Sequence, residues 1–389
     1  MKDLYNSSDL SGKKFSIPMS EQEEVLKILS KRQDTEASRI KRYLDMSDLS
    51  RKKGSPIHEI IERVKKLETL KKFDEIQTPE IVPVKESFDL FDFPLDHPAR
   101  SKSDTYYVDE QNILRTHTTV MWYYYLNLPE IKKNIREGKK IGVLSFGKVY
   151  RKDEIDRKHM NIFHQIDGLY LCKKSDRIIT KEDLQDVLVE IAQIVFGNDI
   201  KYRFNPDKFP YTHSSIEMEV DKNGEWIEVL GAGIVQSSVL QKLGVGEDYN
   251  GWAFGFGLER LAIISMELPD IRLLWSDDER VKKQLKLGKK FIEVSKYPPV
   301  VRDISFIVNN TFIPNDYFDM VRDIAPCLVE EVELTDKYEN VEKFGRDKIS
   351  YTYSITYRSL DKTLTTAEVD NMHKKLENVT TKVFGAIIR

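Results

Sequence analysis

Apolar residues fall along this chain in two rhythms. Between Ser20 and Leu44, the residues Val25, Ile28, Leu29, Ile40, Tyr43 and Leu44 stand at helical spacing among charges, which predicts one or two surface helices. Ile57, Ile60, Ile61, Val64, Leu67 and Leu70 predict another amphipathic helix from Pro56 to Lys72, after which the spacing shortens through FDEIQTPEIV toward a strand. Strand-like runs follow, TYYV, IGVLSFGKVYR, IDGLYLC, SIEMEV and EWIEVLGAG, parted by turns and by helices over Lys181 to Val195 and Glu259 to Glu267. Strands linked by hairpins, with few helices between them, predict an antiparallel α+β core instead of a parallel doubly wound sheet.

The composition changes near Ser295, at SKYPPVVRD. The remaining residues read strand (Val300 to Val308), helix (Asn315 to Ile324), strand (Leu328 to Tyr338), strand (Ile349 to Tyr357), helix (Thr365 to Thr380) and a short tail ending at Ile388. Thr365 and Glu368 have the spacing of a capping box at the second helix. That order is the split βαβ of a ferredoxin-like sandwich. Three parts are therefore expected: a helical extension over 1–50, a larger domain over 51–290 and a small one over 295–389.

Composition narrows this picture. At 389 residues, 40% hydrophobic and 32% charged, the chain can bury a sizeable core. It contains no apolar run of about 18 residues, the length that a membrane-crossing helix needs. The opening MKDLYNSSDLSGKKFSIPMSEQEE lacks the apolar core of a secretory signal and mixes acids with lysines, unlike an Arg-rich presequence. The cytoplasm is thus the expected location, with the mitochondrial matrix or another organelle as the alternative, because a trimmed presequence would leave the same reading. Cys172 and Cys327 have no CxxC or histidine partner, so they read as buried thiols and not as a disulfide framework or zinc site. A net charge of -3 gives no general affinity for polyanions, so RNA binding would need local basic patches.

Three ordered segments carry candidate chemistry. Phe73-x-x-Ile76-x-x-Pro79 is a helix end running into a strand. Tyr150-Arg151-x-Asp153, followed by His159-x-x-x-Phe163, reads as two strands joined by a loop. There a planar, permanently charged guanidinium can grip a phosphate, and an aromatic face can stack a base. Gly255-Phe256-Gly257-Leu258-Glu259-Arg260-Leu261-Ala262 reads as a glycine-rich strand turning into a helix, where the backbone can approach a nucleotide and Arg260 can neutralise its phosphates.

In this order the segments resemble motifs 1, 2 and 3 of class II aminoacyl-tRNA synthetases. HPAR (His97 to Arg100), LRTHT (Leu114 to Thr118), FHQIDGL, FPYTHSS, WIEVLGAG and WAFGFGLERL narrow the resemblance to the phenylalanyl enzymes, across most of Asp92 to Leu274. The unit that begins SKYPPVVRDISF resembles the ferredoxin-fold anticodon-binding domain, and its fusion to such a catalytic domain resembles the monomeric, mitochondrial-type branch.

The resemblance implies a class II antiparallel-sheet catalytic domain that activates L-phenylalanine with ATP and Mg²⁺ and charges tRNA(Phe) as a monomer, with no membrane contact. It implies that His117, Thr119, Arg151, Gln165 and Asp167 surround the amino and carboxylate groups, that Phe209 and Tyr211 pack on the phenyl ring, and that Ala253 and Phe254 line the pocket floor. His159, Phe163, Glu228 and Arg260 would fall on the ATP side, with Arg151 and Arg260 as the catalytic cations. In the small domain, 13 Lys and Arg stand against 15 Asp and Glu, so it would have to segregate its bases onto one face, with Lys348, Arg358 and Lys362 as members.

Three positions depart from the family pattern. Thr119 stands where the family usually has serine and keeps the hydroxyl. Trp122 stands where a glutamine amide often helps hold the amino group, and either keeps a place in the site or packs in a loop. Tyr211 replaces a second phenylalanine, and its hydroxyl could answer that of a tyrosine substrate. An apolar pocket rejects one extra hydroxyl by only about a hundredfold, and no segment is large enough for an editing domain, so detectable, uncorrected tyrosine activation is expected. His213 occupies a position that is acidic in the two-subunit branch, which leaves the metal ligands undefined. A class II synthetase with another aromatic specificity, and a non-catalytic relative binding amino acid or RNA, remain open at this point.

Overall fold

A computed structural model describes residue 5 and residues 7–18, 20–294, 297–326, 328–359 and 361–389. Cys327 and Ser295 lie outside the described residues. The chain divides into two compact units, the first formed by Met1–Tyr150, Ile162–Leu268 and Leu285–Lys290, and the second by Arg151–Asn161, Pro269–Gln284 and Phe291–Arg389.

Among the described residues the first unit has ten strands: β1 (Lys14–Ser16), β2 (Asp74–Gln77), β3 (Ile81–Pro83), β4 (Asn112–Leu114), β5 (Ile141–Tyr150), β6 (Ile162–Lys173), β7 (Tyr202–Pro206), β8 (Thr212–Lys222), β9 (Glu225–Val235) and β10 (Tyr249–Gly257). Eight form one sheet in the order β1-β2-β5-β6-β10-β9-β8-β7, while β3 and β4 pair separately. From β5 to β7 every pairing is antiparallel, as the hairpin pattern predicts. β1 and β2 join parallel to each other and to β5, so the sheet is mixed. The long stretch between β2 and β5, with its own helices, makes a parallel return possible. All ten residues of β5 are buried, consistent with a central strand covered on both faces.

The helices of this unit are α1 (Ser20–Lys31), α2 (Thr35–Asp45), α3 (Pro56–Val64), α4 (Met121–Leu126), α5 (Pro129–Arg136), α6 (Lys181–Phe196), α7 (Ser237–Lys242) and α8 (Leu258–Met266). α3 starts at an Ser55 N-cap with Pro56 in its first turn, and it stops well short of the predicted Lys72. There Lys65 is drawn to Glu62 at 2.9 Å and to Glu75 of β2 at 2.7 Å, and tight turns carry Leu70 into the core. TYYV forms a single bridge, Tyr107 to Ile113, and no strand.

In the second unit β11 (Val300–Asn309), α9 (Pro314–Ile324), β12 (Val329–Glu339), β13 (Lys348–Tyr357), α10 (Thr366–Phe384) and β14 (Ile387–Ile388) follow the predicted order. The sheet runs β12-β13-β11-β14, all antiparallel, and is ferredoxin-like. Thr365 and Glu368 close the predicted capping box. Phe306, Tyr317, Tyr353, Tyr357 and Leu376 form the fully buried centre of its core.

Candidate active site

β6 and β10 pair so that Asp167 stands opposite Gly255 and Gln165 opposite Gly257. Side chains alternate along a strand, so Phe163, Gln165 and Asp167 share one face of β6, and Ala253 lies on the matching face of β10. Gly255 is required there, because a Cβ would press on the Asp167 carboxylate and stand 3.1 Å from its Cγ. Asp167 is buried and accepts a hydrogen bond from the Thr119 hydroxyl at 2.5 Å. The Gln165 Oε1 is buried and accepts no hydrogen bond among the described residues. A carboxylate and an unfilled amide acceptor on one strand face suit a ligand ammonium.

Phe254 does not share this face. The strand alternation turns it the other way, where its ring occupies the space that Gly168 leaves, 2.5 Å from a would-be Cβ, and stacks with Trp252 and Phe256 at 5.7 Å each. The expectation that Phe254 lines the pocket floor beside Ala253 is therefore corrected: adjacent strand residues cannot both face the floor.

Beside Ala253 lies a box of rings. Tyr211 meets Phe91 at 5.6 Å and Trp122 at 5.8 Å edge-on, and stacks with Phe93 and Phe209. His117 meets Phe91 edge-on at 5.9 Å and lies parallel to Phe93 at 6.0 Å. Gly231 gives Phe209 its place, 2.9 Å from where a Cβ would stand. Such edge-to-face walls suit an aromatic ligand. Trp122 lies in α4 and not in a loop. It is fully buried, and its Nε1 has no hydrogen-bond partner among the described residues. His213 is exposed on β8 and lines a cleft of about 500 Å³ together with Lys181, Asp207 and Phe209.

β10 turns directly into α8, which carries the motif 3 charges on opposite sides. Glu259 points inward, accepting from the His164 backbone N–H at 2.8 Å and contacting that ring's Nδ1 at 2.6 Å. Arg260 points outward, half-exposed, 3.5 Å from the Glu228 carboxylate and 3.3 Å from the Glu228 carbonyl oxygen. Two of the residues expected on the ATP side, Arg260 and Glu228, thus face each other at the surface, and β6, β10 and α8 are locked together beneath them.

Arg151 and His159 sit in the second unit, on the loop that joins β5 to β6. Arg151 donates its backbone N–H to the Asn161 carbonyl at 3.0 Å, which closes the neck of the loop. His159 Nδ1 lies 2.7 Å from Asp156, whose other oxygen accepts the backbone N–H groups of Lys158 and His159. Burial pushes the Asp156 carboxyl up, but the His159 contact and the two backbone donors outweigh it and hold the group below the usual aspartate value. Of the residues expected to meet tRNA, Arg358 pairs with the buried Glu330 at 2.5 Å, and Lys362 pairs with Glu368 of the capping box. Lys348 takes part in no ion pair among the described residues.

Phe91 and Phe93 escape a sequence reading because they lie between motifs 1 and 2 on irregular backbone, after a single π-helical turn at Lys85–Asp89. Arg115 is also missed. It is buried and donates to the carbonyls of Lys148 at 2.7 Å and Thr78 at 3.0 Å, tying the end of motif 1 to β5. Its signal was its place in LRTHT, one arginine inside an otherwise strand-like, uncharged run.

A mixed sheet with an antiparallel body, a glycine-rich strand feeding the Glu259–Arg260 helix and a buried acid on the neighbouring strand define a class II aminoacyl-tRNA synthetase core. The chain matches the family described as tRNA synthetases class II core domain (F) over residues 41–285, and the ferredoxin-fold anticodon binding domain over residues 295–389. It is 35% identical over 349 residues to the mitochondrial phenylalanine–tRNA ligase of Mus musculus, covering 79% of this chain and 74% of that protein. To the chloroplastic/mitochondrial phenylalanine–tRNA ligase of Arabidopsis thaliana it is 37% identical over 329 residues, covering 82% and 73%. A phenylalanine–tRNA ligase alpha subunit from Coxiella burnetii is 36% identical over 234 residues, 59% of this chain and 67% of that one. The chain belongs to the phenylalanine–tRNA ligase family.

Proposed function

We propose that the chain joins L-phenylalanine to tRNA(Phe) in two steps, with residues 51–290 performing the chemistry, residues 295–389 binding the anticodon arm and residues 1–50 forming an accompanying extension. The observation that carries the reading is the site on β6: Asp167, fixed by Thr119, beside the unfilled Gln165 Oε1, against a box of aromatic rings. An α-ammonium answers the acid and the amide, and a phenyl ring answers the box. His117 and Trp122 border the same ring, with Phe209, Tyr211 and Ala253 around it.

The substrate carboxylate attacks the α-phosphorus of ATP, a P–O bond forms to give phenylalanyl-adenylate, and pyrophosphate leaves. No protein nucleophile is needed. Arg151 grips the α-phosphate, Arg260 neutralises the outgoing phosphates, and Phe163 and His159 hold the adenine end. Glu228, an exposed carboxylate beside Arg260, is a hard oxygen donor that fits the Mg²⁺ accompanying ATP, and that ion supplies further charge neutralisation on the phosphates. A 3′-terminal ribose hydroxyl of the tRNA then attacks the acyl carbon and AMP leaves.

Lys348, Arg358 and Lys362 remain the proposed RNA contacts, with the last two needing to exchange acidic partners for phosphate. The fusion of both domains in one chain supports a monomer. The printed names of the relatives support the mitochondrial matrix or another organelle over the cytoplasm. Among the described residues no helix is long and apolar enough to cross a membrane.

Pyrophosphate exchange into ATP, measured across amino acids, tests the reading. Phenylalanine is expected to give the strongest signal, tyrosine a weaker one and leucine none, with Arg260→Ala abolishing exchange while the circular dichroism spectrum is unchanged. Exchange with phenylalanine no greater than with leucine refutes the specificity, and wild-type exchange by Arg260→Ala refutes that residue's role.

A further inference from the structure

The loop that carries Arg151 and His159 is built into the body of the second unit. Ile155, at its midpoint, is buried within the core formed by Phe306, Tyr317 and Tyr353, and its carbonyl accepts the Val332 N–H of edge strand β12 at 2.9 Å. Polar ties flank it. Lys152, almost fully buried, pairs with Asp316 at 3.2 Å, and its carbonyl accepts from the Asn315 side chain at 3.3 Å. Arg322 donates to the Glu154 carbonyl, and Arg157 pairs with the buried Glu330.

The tie nearest the chemistry is at the neck. Asn161, 4% exposed, donates its side-chain amide at 2.5 Å to Asp319 of α9, which is 0% exposed. The Asn161 carbonyl is the acceptor that fixes the Arg151 backbone. A buried acid on a ferredoxin-like helix, its charge also met by Arg322 at 3.3 Å, is therefore one residue removed from the guanidinium assigned to the α-phosphate. A buried carboxylate is costly unless it is fully partnered, so the Asn161 and Arg322 contacts of Asp319 resist being broken.

We propose that Asp319 is a positioning residue for ATP: through Asn161 it sets Arg151, so that amino-acid activation, a step involving no tRNA, depends on the anticodon-binding part of the chain. This rests on the proposed role of Arg151. Nothing in the motif pattern points to α9, because its register with the loop exists only in the fold.

The test is phenylalanine-dependent pyrophosphate exchange by the full chain without tRNA. Asp319→Ala is expected to raise the KM for ATP about tenfold or more while the KM for phenylalanine stays within about twofold, since a misplaced gripping group costs one to two powers of ten. Asp319→Asn, which keeps an acceptor, is expected to stay near wild type. Should Asp319→Ala fail to fold, Asn161→Ala at the loop neck carries the test. Where both fold, the double variant should be no worse than the worse single one, because both remove one connection. Unchanged ATP KM in Asn161→Ala or folded Asp319→Ala overturns the proposal, as does an equal rise in both KM values. Absence of exchange in the wild type would instead strike the functional reading, and an Arg151→Ala variant with normal ATP KM would strike the role of Arg151 and this proposal with it, while leaving the amino-acid site untouched.

Discussion

The Thr119 hydroxyl reaches across from the turn before α4 to donate 2.5 Å to the Asp167 carboxylate on β6. Both side chains are buried, so the pair orients a charge that would otherwise have to be matched wholly by the ligand. Thr119→Ala is expected to lower phenylalanine-dependent exchange about tenfold, a loss of the order of one charged hydrogen bond, while Thr119→Ser restores it. The rise should appear in the KM for phenylalanine and leave that for ATP unaffected.

Gly255→Ala puts a methyl group against the same carboxylate. Relief requires Asp167 to swing off Thr119 or the β6–β10 pairing to part. A loss of about 1–3 kcal/mol in stability is expected, read as a lower Tm, together with exchange too weak to measure at ordinary phenylalanine concentrations.

Tyr211 carries a hydroxyl and Trp122 an indole N–H in a box whose other rings, the His117 imidazole apart, are apolar. Tyr211→Phe is expected to leave phenylalanine activation within about twofold and to cut tyrosine activation about tenfold, because a site that loses its polar partner leaves a substrate hydroxyl unpaired. Parallel exchange assays with the two amino acids measure it. Wild-type protein should not deacylate Tyr-tRNA faster than buffer does.

Asp156 contributes to the order of the loop through its depressed carboxyl. A depressed folded value stabilises above the unfolded one, near 3.8, and the contribution is lost as pH falls below that toward the folded value. Hydrogen exchange at the Lys158 and His159 amides, corrected for intrinsic rates, should therefore stay slow from pH 7 to about 4.5 and quicken below about 3.5, whereas Asp156→Asn should exchange fast throughout.

Much of the catalytic architecture was legible because the strands that build it are contiguous and strongly patterned. IGVLSFGKVYR and WAFGFGLERL each state a strand and its end, and the capping box at Thr365 states a helix start. What escaped depends on register. Whether Phe254 faces the site follows from its parity with Gly255, which is readable only once Asp167 is known to stand opposite. The parallel joining of β1 and β2 is set by a long return that leaves no local mark. The membership of residues 151–161 in the second unit rests on Asp319, Asp316 and Ile155 meeting across more than a hundred positions of sequence.

Gly168, Gly231 and Gly255 each leave a space that a ring or an acid fills. For anyone seeking to broaden the range of amino acids accepted, this makes the site's plasticity one-sided. Randomising those glycines can only collapse the wall behind the ligand. Room for a larger or substituted ring has to be carved from Phe91, Phe209, Tyr211 or Trp122, where trimming a side chain leaves strand register intact; the half-buried Phe209 and Tyr211 are the places to begin, because a cut at the fully buried Phe91 or Trp122 also leaves a core cavity.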